Sequence, residues 1–145
     1  MFARNFVFLV FIFSTFHLAH AVADREIAAK EAALAWLPLI DEEKYAEALE
    51  ITAPQFREEM KKEDWVSGLG QVRQPLGSVD KRILQRLFAT PVLPGGPEGD
   101  YVIVNFRTSF VGREEAVDEI VVMSASQDAD GSDLWQVVGY YIDQK

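Results

Sequence analysis

The chain has no cysteine, and its two histidines, His17 and His20, both precede Ala21. If the segment through Ala23 is removed, the remaining protein has neither imidazole nor thiol. That excludes the usual general base near neutral pH, the usual zinc ligands and the thiol nucleophile. It also excludes disulfides, which an oxidising compartment would permit. Basic residues are scarce as well, with 14 Lys and Arg against 23 Asp and Glu and a net charge of −9. The only basic doublets, Lys61-Lys62 and Lys81-Arg82, have acidic neighbours. Binding to a nucleic-acid backbone or an anionic membrane surface needs clustered Lys and Arg, so neither partner is expected.

What is present begins with an export signal. Arg4 supplies a positive start, Phe6 to Phe13 is an unbroken apolar run, and small residues follow in Ala19-His20-Ala21 and Ala21-Val22-Ala23. This is the three-part layout of a secretory leader, with cleavage preferred after Ala23. The run is shorter than the roughly 20 apolar residues a spanning helix needs, so the membrane is met only in transit. A periplasmic or secreted location follows. Residues 1–23 read as signal peptide and 24–145 as one domain of about 120 residues, enough for a single core. Only Arg4 among the charged residues is lost with the leader, so the processed chain is one unit more negative than the whole. That acidity serves solubility.

The hydrophobic period changes near residue 80, from helical spacing to alternation. Asp24 caps an alanine-rich helix through Leu37, with Ala28, Ala32, Ala35, Trp36 and Leu39 on one stripe and a bend or stop at Pro38. Asp41 caps a second helix carrying Tyr45, Ala48 and Leu49. Pro54 opens a third behind Thr52 or Ala53, with Phe56 and Met60 as its buried edge. Asp64 caps a fourth in which Trp65, Leu69 and Val72 align, ended by Gln74-Pro75-Leu76-Gly77. Four strands follow. In the first, Ile83, Leu87 and Ala89 share a face opposite Leu84 and Phe88. Residues 90–99 hold three prolines and three glycines and form a loop. Val102, Val104, Phe106 and Phe110 share a face of the second strand. Val117, Val121 and Met123 share one face of the third, with Ile120 and Val122 on the other. Asp130-Gly131 turns a hairpin into the last strand, Leu134 to Ile142. Helices followed by an antiparallel meander define an α+β fold, with N-terminal helices on a four-stranded sheet.

Several pieces of this chain are familiar in their order. They are Ala35 to Asp41 with Lys44-Tyr45, then Trp65, then Val72-Arg73-Gln74-Pro75-Leu76-Gly77, Leu93 to Tyr101, Phe106 to Phe110, and Trp135 to Tyr140. In these the chain resembles the bacterial family of unknown function numbered 4019. Its opening helix pair is similar to that of the nuclear-transport-factor-2-like superfamily. The resemblance implies a curved, cone-shaped sheet packed by helices. That superfamily includes isomerases, dehydratases and non-enzymatic binding or assembly modules. No catalytic residue is carried over by motif.

The residues that bear chemistry are few. A carboxylate on the third strand could act as a base if it faced an apolar pocket. Asp118, on the face of Ile120 and Val122, is the preferred geometry, and Glu119, on the face of Val117 and Val121, is the alternate. Tyr101, Tyr140 and Tyr141 could donate to a ligand oxygen, or simply pack. Arg73 either clamps a ligand carboxylate or pairs with Asp41 or another acid to fix the turn after the fourth helix. Asp128-Ala129-Asp130-Gly131-Ser132-Asp133 fails the spacing of a calcium loop and reads as a hairpin tip, so no metal is expected. Ser67 has no activating histidine, and Gly95-Gly96-Pro97 lacks the ending of a phosphate loop. No cofactor is expected. The reading that emerges is a non-catalytic exported module that binds a small molecule or an envelope protein. A homodimer through the sheet is a further possibility of that reading. The competing one is a small isomerase or dehydratase with a carboxylate base and tyrosine donors in the cone.

Overall fold

The computed structural model describes residues 15–144, with side chains from Ala21 onward. Arg4 and the apolar run from Phe6 to Phe13 lie outside the described residues, as do the side chains of His17 and His20. Four helices precede four strands: α1 Thr15–Asp41, α2 Tyr45–Glu50, α3 Pro54–Glu59, α4 Lys62–Arg73, then β1 Val79–Thr90, β2 Tyr101–Phe110, β3 Val117–Gln127 and β4 Asp133–Asp143. The strands form one antiparallel sheet in the order β1-β2-β3-β4. The α+β class read from the change of period is the observed one, with the helices against one face of the sheet.

The core lies between α1 and that inner face. Ala29, Ala33, Trp36, Leu37 and Ile40 of α1 are buried. They meet Val102, Val104, Phe106, Val121, Met123 and Val137. The expected stripe is therefore turned by about one position, since Ala28 and Ala35 face water. Ala29 and Ala33 are small enough to let the helix approach the strands, which places Trp36 and Leu37 over the sheet. Nor does Pro38 stop the helix. It lies inside α1, which runs three residues further to Asp41. Pro38 lacks its own N–H, but its carbonyl still accepts from Glu42 N at 2.9 Å. As a result Asp41 ends α1 instead of capping α2, and its carboxylate is available for other partners.

Two further boundaries differ from the sequence reading. α4 is entered from Lys61, so Asp64 sits in its first turn, where a carboxylate suits the positive end of the helix dipole. Its buried face is Trp65, Leu69 and Arg73, at strict i, i+4, i+8 spacing, and Val72 is exposed. In β1 a register shift lies between Leu84 and Arg86. The extra residue puts Leu84, Leu87 and Ala89 opposite the inner residues Phe106, Val104 and Val102, and it leaves Ile83 and Phe88 on the outer face. A bulge with charged neighbours also blunts β1 as a free edge.

The corner between β2 and β3 is held against the end of the helical half. Gly112 N donates to the Leu76 carbonyl at 2.8 Å. A Cβ at Gly112 would lie 2.7 Å from that oxygen and 2.8 Å from the Pro75 oxygen. Both obstacles are backbone, so neither can swing aside. Gly112→Ala is expected to lower stability by about 1–3 kcal/mol, as overpacking does, measured as a lower midpoint of urea unfolding with an unchanged slope.

Candidate functional site

Every strand and two helices send one polar side chain to a single point at the Phe110 end of the core. Asp41 arrives from the end of α1, Arg73 from the end of α4, Arg82 from β1, Thr108 from β2, Glu119 from β3 and Tyr140 from β4. Strand parity explains most of this. Thr108 alternates with Phe106 and Phe110, and Glu119 with Val117 and Val121, so all of these point inward. Arg82 is the cross-strand partner of Thr108, which is in turn paired with Val117.

Glu119 is fully buried. Its Oε1 accepts from Tyr140 Oη at 2.7 Å and from Arg82 Nη2 at 3.1 Å. Its Oε2 accepts from Arg82 Nε at 2.6 Å and from Thr108 Oγ1 at 2.8 Å. Arg73 Nη1 lies 3.5 Å from the same carboxylate. Asp41 closes the other side. Arg82 grips it with both terminal nitrogens, at 3.0 and 2.9 Å, and Arg73 Nη2 adds a third bond at 2.9 Å. The Arg73 guanidinium also lies 4.6 Å from the centre of the Phe110 ring, within cation–π range. Two guanidiniums and two carboxylates thus cancel in a space that water reaches only at the Asp41 and Arg82 edge, where side-chain exposures are 26% and 14%.

The electrostatics follow from this packing. Burial works against the charge on Arg82, but hydrogen bonds and Coulomb attraction from Asp41 and Glu119 outweigh it, and its pKa is raised. Burial, then the charge of Glu119, pushes the Tyr140 phenol well above the usual tyrosine value. Tyr45 is raised in the same sense, first by burial and then by Glu43. The space beside the network is filled by rings. Trp36 packs 5.5 Å from Tyr140 and 6.4 Å from Trp65, centre to centre. Their indole nitrogens donate to the carbonyls of Ala48 and Tyr45 at 2.9 and 2.8 Å.

The structure brings Glu119, Tyr140 and Arg73 together and leaves the other named residues elsewhere. Of the two strand carboxylates, Glu119 and not Asp118 lies on the covered inner face. Asp118 is on the outer face, half exposed, 3.3 Å from Arg107. One step of strand parity makes the difference, because the helices cover the face of Val117 and Val121. Tyr101 is buried on the outer side under the β1–β2 loop, and its hydroxyl donates to the Pro97 carbonyl at 3.0 Å. Tyr141 is exposed. Arg73 holds Asp41, and Arg82 and Thr108 complete the site although neither was singled out. Thr108 carried a signal, as the inner-face position between two phenylalanines. Arg82 carried none, since arginine in an edge strand usually faces water. At the β3–β4 hairpin, Asp128 Oδ1 accepts from the backbone of Asp130 and Ser132, and Gly131 has φ 78°. Among the described residues no group of three or more His, Cys, Asp or Glu is placed to hold a metal.

The outer face of the sheet is different in kind. A cleft of about 490 Å³ opens there, lined by Leu93, Pro94, Gly95, Gly96, Ile103, Ile120, Val122, Val138 and Tyr141. Gly139 makes room for one wall, since a Cβ there would meet the Tyr141 ring at 3.0 Å. Among the described residues no helix is long and apolar enough to cross a membrane.

Helices then a four-stranded antiparallel sheet, with a closed ionic cluster between them, define an α+β domain. The match to known families is more specific: residues 32–140 match the family described as protein of unknown function (DUF4019), and the chain belongs to it. A comparison with curated proteins finds no match.

Breaking one side of a buried ion pair leaves an uncompensated charge and costs about 3–5 kcal/mol. Glu119→Leu is expected to cost that much. Adding Arg82→Met should recover part of the loss, because Arg73 and Asp41 then remain as a neutral pair, and the coupling should be about 1–3 kcal/mol. A double-mutant cycle by urea unfolding measures it. The tyrosines give a second test. The folded state holds Tyr45 and Tyr140 neutral above their usual pKa of 10.0. Below pH 10 they do not alter stability. Above it the unfolded chain sheds these protons while the folded one keeps them, so stability falls as pH rises. Tyr45→Phe with Tyr140→Phe should flatten that fall, followed by unfolding from pH 9 to 11.

Proposed function

We propose that this protein is an exported, non-catalytic binding module that works through the uncovered face of its sheet. The observation that carries this is the contrast between the two faces. On the inner face the one carboxylate–phenol pair, Glu119 and Tyr140, is buried and its acceptor positions are taken by Arg82, Thr108 and Tyr140 itself. No lone-pair direction is left for a substrate proton, which speaks against the isomerase or dehydratase reading. On the outer face an apolar cleft lies open. The order of helices and meander supports placement in the nuclear-transport-factor-2-like superfamily, with its binding and assembly modules.

Export is supported by the start of the fold. Ala21 to Asp24 are exposed, and among the described residues the first side chains with hydrogen bonds or ion pairs to the rest of the domain are those of Arg25 and Glu26. Loss of residues 1–23 therefore removes none of these ties.

The charges of the outer face favour a second copy as its occupant. Phe88, Ile103 and Val122 form an apolar row across three strands, with Ile120 and Tyr141 in the next row. Arg86 ends that second row on β1, and beyond it Lys81 and Arg107 lie on β1 and β2, while Asp118 and Asp143 lie on β3 and β4. A twofold axis parallel to the strands would lay β1 and β2 of one copy over β4 and β3 of the other. Apolar rows then meet apolar rows, and the basic half meets the acidic half. Sedimentation of the processed chain is expected to show a dimer. Tyr141→Lys, an exposed change, should weaken association at least tenfold while leaving the circular dichroism spectrum native. Arg107→Asp should also weaken it, and Arg107→Asp with Asp118→Arg should restore it. A monomer at every concentration would rule out the self-association.

A further inference from the structure

We propose that the cleft on the outer face is a socket for Phe88 of a second copy, so that two copies exchange one ring each. The inference rests on the self-association proposed above and assigns the contact that drives it. Ile103, Val122 and Val138 form the floor of the cleft, and Leu93, Pro94 and Tyr141 stand around it. β2, β3, β4 and the loop after β1 all contribute to that lining, and β1 itself does not. Phe88 is the β1 residue in the same row, the cross-strand partner of Ile103, and it is half-buried. It therefore stands just outside the cleft of its own chain. The floor at Val122 lies two strands away, about 10 Å, with Ile103 between, so the ring cannot fill its own cleft.

An apolar ring and an apolar hole on one face, unable to meet within a chain, complement each other between two chains. The twofold axis parallel to the strands carries β1 of one copy over β4 of the other at the same height. Phe88 then comes down beside Val138 and Tyr141 of the opposite copy, and the reverse contact forms at the same time, as an isologous interface requires.

The hole is shaped before anything enters it. An added Cβ at Gly139 would lie 3.0 Å from the Tyr141 ring, so that ring leans over Gly139. Gly139 is the cross-strand partner of Val122, which puts the ring in the row of Ile103 and Phe88. An incoming phenylalanine meets an aromatic wall, and such ring pairs carry more than their buried area. The opposite wall is tied down. Gly96 N donates to the Leu93 carbonyl at 3.0 Å, and Gly99 N donates to the Pro91 carbonyl at 2.9 Å. At Gly95 an added Cβ would meet nothing within 4 Å, so the rim is open there. A hole with fixed walls loses little freedom when it is filled.

The test uses the processed chain, with half of the molecules isotopically labelled, so that filtered NMR records only contacts between copies. Cross-peaks from the Phe88 ring to the methyl groups of Leu93 and Val138 are expected. Phe88→Ala should weaken association by at least about tenfold in sedimentation, as loss of a central aromatic does. Ile83→Ala is the control. Ile83 is an apolar residue on the same face of the same strand and is 43% exposed, but its row holds Arg107 and Asp118 and opens no cleft. Its loss should change association less than about twofold, as surrounding contacts do. Both variants are checked for a native circular dichroism spectrum, and the NMR arm needs neither. Equal weakening by the two variants, or none by Phe88→Ala, would overturn the socket. So would a dimer without the cross-peaks, and self-association would stand. A monomer at every concentration would instead overturn the self-association on which the proposal rests.

Discussion

Glu119 is the constraint on which the rest of the structure turns. A carboxylate with no exposed surface is held only if its charge and its lone pairs are both answered. Arg82 answers most of the charge, Thr108 and Tyr140 answer the remaining lone pairs, and Arg73 comes close. The two arginines then need a second carboxylate, and Asp41 supplies it. Each requirement recruits a different element. The ends of α1 and α4 are drawn to the sheet at the same place, and all four strands contribute one residue. A one-residue slip of β1 would send Arg82 to water and leave Glu119 with Arg73 as its remaining charged neighbour. The network therefore fixes register, which the alternation of an exposed edge strand like β1 specifies weakly. Its net effect on stability is smaller than its number of bonds suggests, because four charged groups lose much of their hydration to form it.

The change of period near residue 80 made the fold class legible, and so did the inner faces of β2 and β3. Val102 to Phe110 and Val117 to Met123 alternate cleanly because one side of each is packed by helices and the other is not. Parity alone does not say which side is covered. Asp118 and Glu119 each alternate with apolar neighbours, and the difference between them is set by α1, which lies far earlier in the chain. The same limit applies at Arg73. Composition makes valine the buried residue and arginine the exposed one, but the buried stripe of α4 runs through Trp65, Leu69 and Arg73. A charged residue is expected inside only when its partner is known, and Arg73's partners come from α1, β3 and β4. The bulge in β1 and the passage of α1 through Pro38 were hidden for a related reason: each is settled by what the element packs against, not by its own residues.

The two faces of the sheet divide the available chemistry. The inner face has acid, base and phenol groups, but it spends them on one another. The charges of the outer face lie outside its cleft, which is walled by Leu93, Pro94 and Tyr141. The proline- and glycine-rich loop that was legible only as a loop has a definite place in this arrangement. It folds back on itself through Gly99 N to the Pro91 carbonyl at 2.9 Å and is pinned by the Tyr101 hydroxyl. A loop so held can serve as a wall, where a free one would cost ordering entropy on binding.

The absence of cysteine, and of histidine beyond His20, takes on a sharper meaning beside this geometry. A domain without imidazole can still do acid–base chemistry if a carboxylate is desolvated and kept free of strong donors, so that it can take a proton. Here desolvation is complete, but the donors are a guanidinium, a phenol and a threonine hydroxyl, with a second guanidinium 3.5 Å away. The features that let Glu119 exist inside the protein are the ones that deny it a substrate. To make it a base, Arg82 would have to leave, and Arg82 is also the bidentate partner of Asp41 at the end of α1. Freeing the carboxylate would thus remove two of the three bonds that hold Asp41 at the end of α1. Base chemistry at this position would therefore compete with the contacts that order the site, which is the argument for the outer face in the role proposed above.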